Sequence, residues 1–124
     1  MQFQLNKSTD IQSIISQIEK FVLSKTKNKI IVSEVVIISS EIIYNIIKFA
    51  PLGEFSIASQ NNMFIINAND TGKGFSLTLE DSLKEGFSTA NSLGLGLPSL
   101  FRMCDDIKIT TSNIGTKICC FKEF

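Results

Sequence analysis

Residues 30–49 constrain this chain more than any other stretch. Ile30-Ile31-Val32 and Val35-Val36-Ile37-Ile38 are β-branched clusters that favour a strand by propensity alone. Yet Val35, Ile38, Ile42, Ile46 and Phe49 recur at steps of three to four, the period of a helix. Glu34, Glu41, Asn45 and Lys48 fall together on a second, polar stripe. A helix with two apolar flanks and one polar stripe facing a groove satisfies both patterns, and Pro51 marks its stop.

The remaining elements arrange themselves around that helix. Gln2, Phe3, Gln4 and Leu5 alternate as in a short edge strand over residues 2–6. Thr9 and Gln12 make a capping-box pattern ahead of Ile11, Ile14, Ile15, Ile18 and Val22, a helix ending near Lys25. Residues 54–60 and 63–69 flank Asn61-Asn62, a pair that tolerates the positive φ of a tight hairpin. Residues 76–85 predict a short helix, and Pro98 suits the first turn of another that runs to about Asp105. Ile107–Ser112 and Thr116–Phe121 predict a closing hairpin across Asn113-Ile-Gly115. The order β-α-α-β-β-α-α-β-β predicts a single α+β domain over residues 1–124, a two-layer sandwich with helices on one sheet face.

Composition narrows the function classes. Lys plus Arg and Asp plus Glu number twelve each, so no basic excess argues for nucleic acid or an anionic membrane. A neutral surface suits association with another protein. The longest apolar runs fall short of the ~18 residues of a membrane span. The N-terminus lacks a basic segment followed by an apolar one, which argues against export and for a cytoplasmic location. Cys104, Cys119 and Cys120 form no CxxC pair, and the odd count suits reduced thiols. The absence of histidine excludes His-based acid–base catalysis, a Ser-His-Asp triad and an autophosphorylating histidine within the chain.

Three short segments at near-equal spacing carry chemistry: Glu41-Ile-Ile-Tyr-Asn45, Asp70-Thr-Gly-Lys-Gly74 and Gly94-Leu-Gly-Leu-Pro98. On a helix, Glu41 and Asn45 stack one turn apart. An Asn side-chain carbonyl is a hard oxygen ligand for magnesium that adds no charge to repel phosphates. Glu41, one turn away, can orient or deprotonate an attacking hydroxyl. Asp70 follows an apolar strand and can accept a hydrogen bond from an exocyclic amine, while Gly72 and Gly74 let backbone approach a flat base. Gly94 and Gly96 precede a helix whose free N–H groups can converge on phosphate. Neither a P-loop nor a Rossmann glycine pattern is present. Each segment taken alone is also an ordinary solvated helix face, turn or glycine hinge.

Together the segments resemble the N box and the two glycine boxes of the Bergerat-fold (GHKL) ATP-binding superfamily. That group includes histidine-kinase catalytic domains, type II topoisomerases and the anti-sigma-factor serine kinases. The matching stretches are Ser40-Glu-Ile-Ile-Tyr-Asn-Ile46, Asn69-Asp-Thr-Gly-Lys-Gly-Phe75, Glu85-Gly-Phe-Ser-Thr89 and Leu93-Gly-Leu-Gly-Leu-Pro98. The likeness spans about residues 30–124 and is strongest to the RsbT-type serine/threonine switch kinases of partner-switching and stressosome pathways. It implies a mixed, mostly antiparallel sheet with helices on one face, and ATP and Mg2+ as cofactors. It further implies Asn45 as the magnesium ligand, Glu41 as the general base and Asp70 as the adenine partner. Gly72 and Gly74 would shape the base pocket, and Gly94, Leu95, Gly96 and Leu97 would border the phosphates. Lys48 and Thr116 would complete the nucleotide site. Phe49 stands where many anti-sigma kinases carry His, and residues 75–93 leave only a short lid.

The activity the resemblance implies is transfer of the ATP γ-phosphoryl group to Ser or Thr of a STAS-domain antagonist or scaffold protein. Two alternatives stand beside it. One is a nucleotide-sensing module that acts by contact on a sigma factor or a PP2C-type phosphatase. The other is a stand-alone histidine-kinase-type ATPase domain. Homodimerisation is left open.

Overall fold

The computed structural model describes residues 1–71, 96–112 and 114–124. The elements are β1 (Gln2–Leu5), α1 (Ile11–Leu23), α2 (Lys29–Phe49), β2 (Gly53–Gln60), β3 (Met63–Asp70), α3 (Gly96–Met103), β4 (Asp106–Ser112) and β5 (Gly115–Glu123). The helix expected over residues 76–85 lies outside the described residues, as do Gly72, Gly74, Gly94 and Leu95.

The strands form one five-stranded sheet in the order β1-β2-β3-β5-β4. All four pairings are antiparallel, which corrects the expected mixed sheet for the described strands. The class is α+β, and β1 is the edge strand that its alternation predicts. Asn61 and Asn62 turn the β2–β3 hairpin with φ of 52° and 58°. Both angles lie in the left-handed region that Asn tolerates and that a two-residue hairpin matched to strand twist requires.

The conflict in residues 30–49 resolves as a 21-residue helix. Its start is set by Asn28, whose side chain accepts from the backbone N–H groups of Ile30 (3.0 Å) and Ile31 (3.3 Å). It ends where Ala50 turns extended before Pro51. Packing overrides the strand propensity of its Ile and Val. Val35, Ile38, Ile42, Ile43 and Ile46 are all buried, each contributing about 2 kcal/mol of hydrophobic stabilisation. Helix α2 has the length and mean hydropathy (1.9) of a membrane-crossing segment, although no single apolar run in it is that long. In this fold it is the core helix, laid over β1, β2 and β3 and flanked by α1 and α3.

Helix α1 is capped differently from the capping box expected at Thr9 and Gln12. Asp10 is the N-cap and accepts from the Ser13 N–H at 3.2 Å, while Thr9 Oγ1 accepts from Asn6 N–H at 2.8 Å. Asp outcompetes the preceding Thr because Thr9 is already committed to the turn before the helix.

Alternation along the strands gives the sheet two unlike faces. Phe55, Ile57, Phe64, Ile66, Ala68, Ile118 and Cys120 are buried on the helix side. Phe64 meets Phe21 of α1 edge-on at 6.2 Å and stacks on Phe124 at 4.2 Å. On the other face Asn67 and Lys117 are exposed.

The cysteine expectation is corrected as well. Cys104, just after α3, and Cys120, within β5, form a disulfide, and Cys119 is the free thiol. Sequence spacing could not show this, because the sheet, not the chain, brings the end of α3 onto β5.

Candidate functional site

The middle of the polar stripe of α2 is buried, while Glu34 is half-buried and Lys48 is exposed. Glu41 is 0% exposed and Asn45 3% exposed, against the surface-helix expectation for such a pair. Asn45 Nδ2 donates to the Glu41 carbonyl oxygen at 3.0 Å and to Glu41 Oε1 at 3.3 Å. This turns Asn45 Oδ1, the atom a hard cation would use, away from Glu41. Burying a carboxylate and an amide together in an apolar helix costs several kcal/mol unless they are hydrogen-bonded. Their survival there marks the pair as a specific feature of the core helix.

The second part of the site forms at one end of the sheet. Asp70 is the last residue of β3 and only 6% exposed. The strand register aligns Leu5, Gly53, Asp70, Thr116 and Thr111 in one row across all five strands. Thr116, 2% exposed, therefore faces the helix layer beside Asp70. Beyond Asp70 the chain is anchored by Thr71, whose N–H and Oγ1 donate to the Leu52 carbonyl at 3.2 and 3.3 Å.

Two glycines let these parts approach. A Cβ on Gly53 would lie 2.9 Å from the Asn69 carbonyl oxygen and would collide with Ile46 Cγ2. Ile46 follows Asn45 on α2, and Gly53 pairs with Asp70, so close packing at Gly53 brings the Asn45 turn of α2 to the Asp70 end of the sheet. Gly115, at φ 156°, opens β5 where a Cβ would run into the Asp70 carbonyl oxygen. Only glycine fits that backbone angle at that distance. From sequence Gly115 reads as a turn residue, and nothing local singles out Gly53.

Next to Asp70 lies a cavity of about 330 Å³ lined by Asn69, Asp70, Thr110, Ile114, Gly115, Thr116 and Lys117. It unites Asp70 and Thr116 but does not include Glu41 or Asn45. Lys48 is exposed in the last turn of α2, one turn beyond Asn45. Gly96 and Leu97 are the first residues of α3 itself, whereas the sequence pattern places the glycines before the helix.

Helix α3 is tied into the same assembly. Leu100 is fully buried, and α3 packs on α2. Lys122 Nζ donates to the Met103 carbonyl at 2.6 Å and to Glu34 Oε2 at 3.3 Å, joining the C-terminus of α3, the start of α2 and β5. A cation at the last carbonyls of a helix also complements its dipole. Glu34 thus leaves the proposed groove stripe and serves as a structural partner, a role that no local pattern reveals.

Among the described residues no group of three or more His, Cys, Asp or Glu could cage a metal. The donor set instead suits magnesium, which keeps its waters and takes few protein ligands beside phosphate oxygens. Asn45 Oδ1 fits that role chemically, whereas Gly53 and Gly115 abut Ile46, Asn69 and Asp70 of the protein itself.

No family model matches this chain, and no curated protein matches it significantly.

Proposed function

We propose that this protein is an ATP- and magnesium-dependent protein serine/threonine kinase with a Bergerat-type nucleotide site, acting on a STAS-domain partner. What supports this reading is a buried Glu41–Asn45 pair on the core helix and a buried Asp70–Thr116 pair at one end of the sheet, with Ile46, next to Asn45, packed against Gly53, the register partner of Asp70. Asp70 accepts from the exocyclic amine of adenine, with Thr116 beside it, and Gly53 and Gly115 allow the close backbone packing that holds Asp70 in place. Asn45 Oδ1 would hold the magnesium, which would supply charge neutralisation at the phosphates. Glu41 receives the proton as the substrate hydroxyl oxygen bonds to Pγ and the bond from Pγ to the ADP oxygen breaks. Positioning and charge neutralisation supply most of the catalysis in such transfers. Gly72, Gly74, Gly94, Leu95, Gly96, Leu97 and Lys48 remain part of the proposal through the sequence resemblance.

The test is incubation with labelled ATP, magnesium and a candidate STAS protein. Label on Ser or Thr is the expected result. Glu41→Ala abolishes transfer yet leaves ADP affinity within about threefold; transfer that survives this change removes Glu41 as base. A second reading draws on the complete burial of Glu41. A carboxylate sealed inside the protein suits a nucleotide-sensing module that acts on a sigma factor or phosphatase by contact. Tight ADP binding without label transfer to any partner favours that module.

A further inference from the structure

Helix α3 is eight residues long, below the roughly 12 residues at which an isolated helix begins to hold in water. Its persistence therefore depends on tertiary tethers. Leu100 anchors its buried side, Lys122 takes the Met103 carbonyl, and the Asp105 N–H donates to the Phe121 carbonyl at 2.9 Å. The one covalent tether is Cys104–Cys120, which closes a loop of sequence separation 16 between the end of α3 and the middle of β5. Cys120 faces the helix layer, as does Thr116 two alternations earlier on the same strand. One bond thus couples the helix opened by Gly96 to the strand that carries Thr116.

We propose that Cys104–Cys120 is a redox-gated tether whose reduction releases α3 from β5. Resting on the nucleotide-site reading above, release also weakens binding of Mg-ADP. The reductant is a dithiol of the thioredoxin class. Its thiolate attacks Sγ of Cys104, which is 9% exposed against 0% for Cys120. The Cys104–Cys120 bond breaks, and Cys120 leaves as a thiolate that takes up a proton, with Lys122 on the same side of β5 to offset its charge. The second thiol of the reductant then displaces Cys104, giving two protein thiols and an oxidised reductant, two electrons in all. Oxidation of the two thiols by a disulfide oxidant reverses the step.

The experiment compares the oxidised and the dithiol-reduced protein. Alkylation under denaturing conditions with mass detection gives one modified cysteine, Cys119, in the oxidised form and three in the reduced form. Amide exchange is then followed over residues 100–104, and Mg-ADP binding by calorimetry. Reduction is expected to accelerate exchange in α3 at least tenfold and to weaken ADP binding by about tenfold, within the usual range of coupling between sites. The double variant Cys104→Ala/Cys120→Val, which fills the strand position with an apolar side chain, should match the reduced protein and ignore reductant. Equal α3 exchange in both forms overturns the tether, as does alkylation of three cysteines after oxidation. If exchange responds while neither form binds ADP, the tether stands and the nucleotide site falls.

Discussion

Two rows of residues cross the same five strands one step apart and lead opposite lives. The inner row, Leu5-Gly53-Asp70-Thr116-Thr111, carries Asp70 and Thr116 buried beneath the helices. The outer row, Gln4-Glu54-Asn69-Lys117-Thr110, is polar along its whole width, with Gln4 Nε2 bonded to Glu54 Oε1 at 3.0 Å near solvent. Asn69 and Asp70 are neighbours of similar size and hydrogen-bonding capacity. What separates them is strand parity, which turns one to water and the other to the core. A polar group that water can satisfy carries little information about function. The same group under a helix layer must be held by the protein or serve a ligand.

That contrast can be broken in graded ways. The largest expected effect is Gly115→Ala, which combines an unfavourable φ with a collision at the Asp70 carbonyl. Chemical denaturation should show a loss of about 3 kcal/mol, the sum expected of backbone strain and overpacking. Lys117→Ala, two residues on and facing outward, should change stability by less than about 0.5 kcal/mol. Comparable losses at both sites would erase the distinction between the rows.

Next in size is Asp70→Asn, which keeps the shape but removes the charge. Calorimetry with ADP should show affinity falling about 10- to 100-fold, as expected for losing a hydrogen bond to a charged acceptor. Asn69→Ala should leave affinity within about twofold. Should both variants bind ADP like the parent, Asp70 has no role with adenine.

A smaller effect is expected at Lys122, an inward-facing cation. Lys122→Met retains the stem but loses the bonds to Met103 and Glu34, and thermal or urea unfolding should register about 1–2 kcal/mol. No measurable change would show that the contact at the end of α3 is solvated in solution.

The smallest concerns Cys119 on the outer face. Burial pushes its thiol pKa up, with Lys108 opposing and Asp106 adding to the rise. The folded state then holds the proton longer than the unfolded chain. Its contribution to stability is present below the unfolded thiol pKa and is lost as pH rises through the folded value. Alkylation of native Cys119 should accordingly lag a free thiol at neutral pH and catch up only in alkaline buffer. Parity with a free thiol at pH 7 would contradict the shielding.

Much of this was legible in the residues themselves. The hairpin at Asn61-Asn62 follows from local φ preference, and the stop of α2 follows from Pro51. The helical period in residues 30–49 prevailed over β-branched propensity because two apolar flanks both found partners in the sheet and the neighbouring helices. Glu41, Asn45 and Asp70 stood out by spacing, and Thr116 through the family resemblance. Their burial did not, because an ExxxN pair reads the same on a solvated helix as on a core one. The N-cap of α1 fell one residue from its expected place, since Thr9 and Asp10 differ in role only through the turn at Asn6.

By itself the sequence determined what depends on neighbours along the chain: periodicity, turn chemistry, the helix stop at Pro51 and the carboxylate–amide pair one turn apart. The tertiary structure alone decided what depends on residues far apart in sequence. It set the all-antiparallel order β1-β2-β3-β5-β4, the bond between Cys104 and Cys120, and the link from Lys122 to Glu34 and Met103. It also gave Gly53 and Gly115 their close contacts with Ile46, Asn69 and Asp70. The physical reason is that strand register and helix packing choose which distant atoms touch, and no local pattern encodes a distance across a sheet.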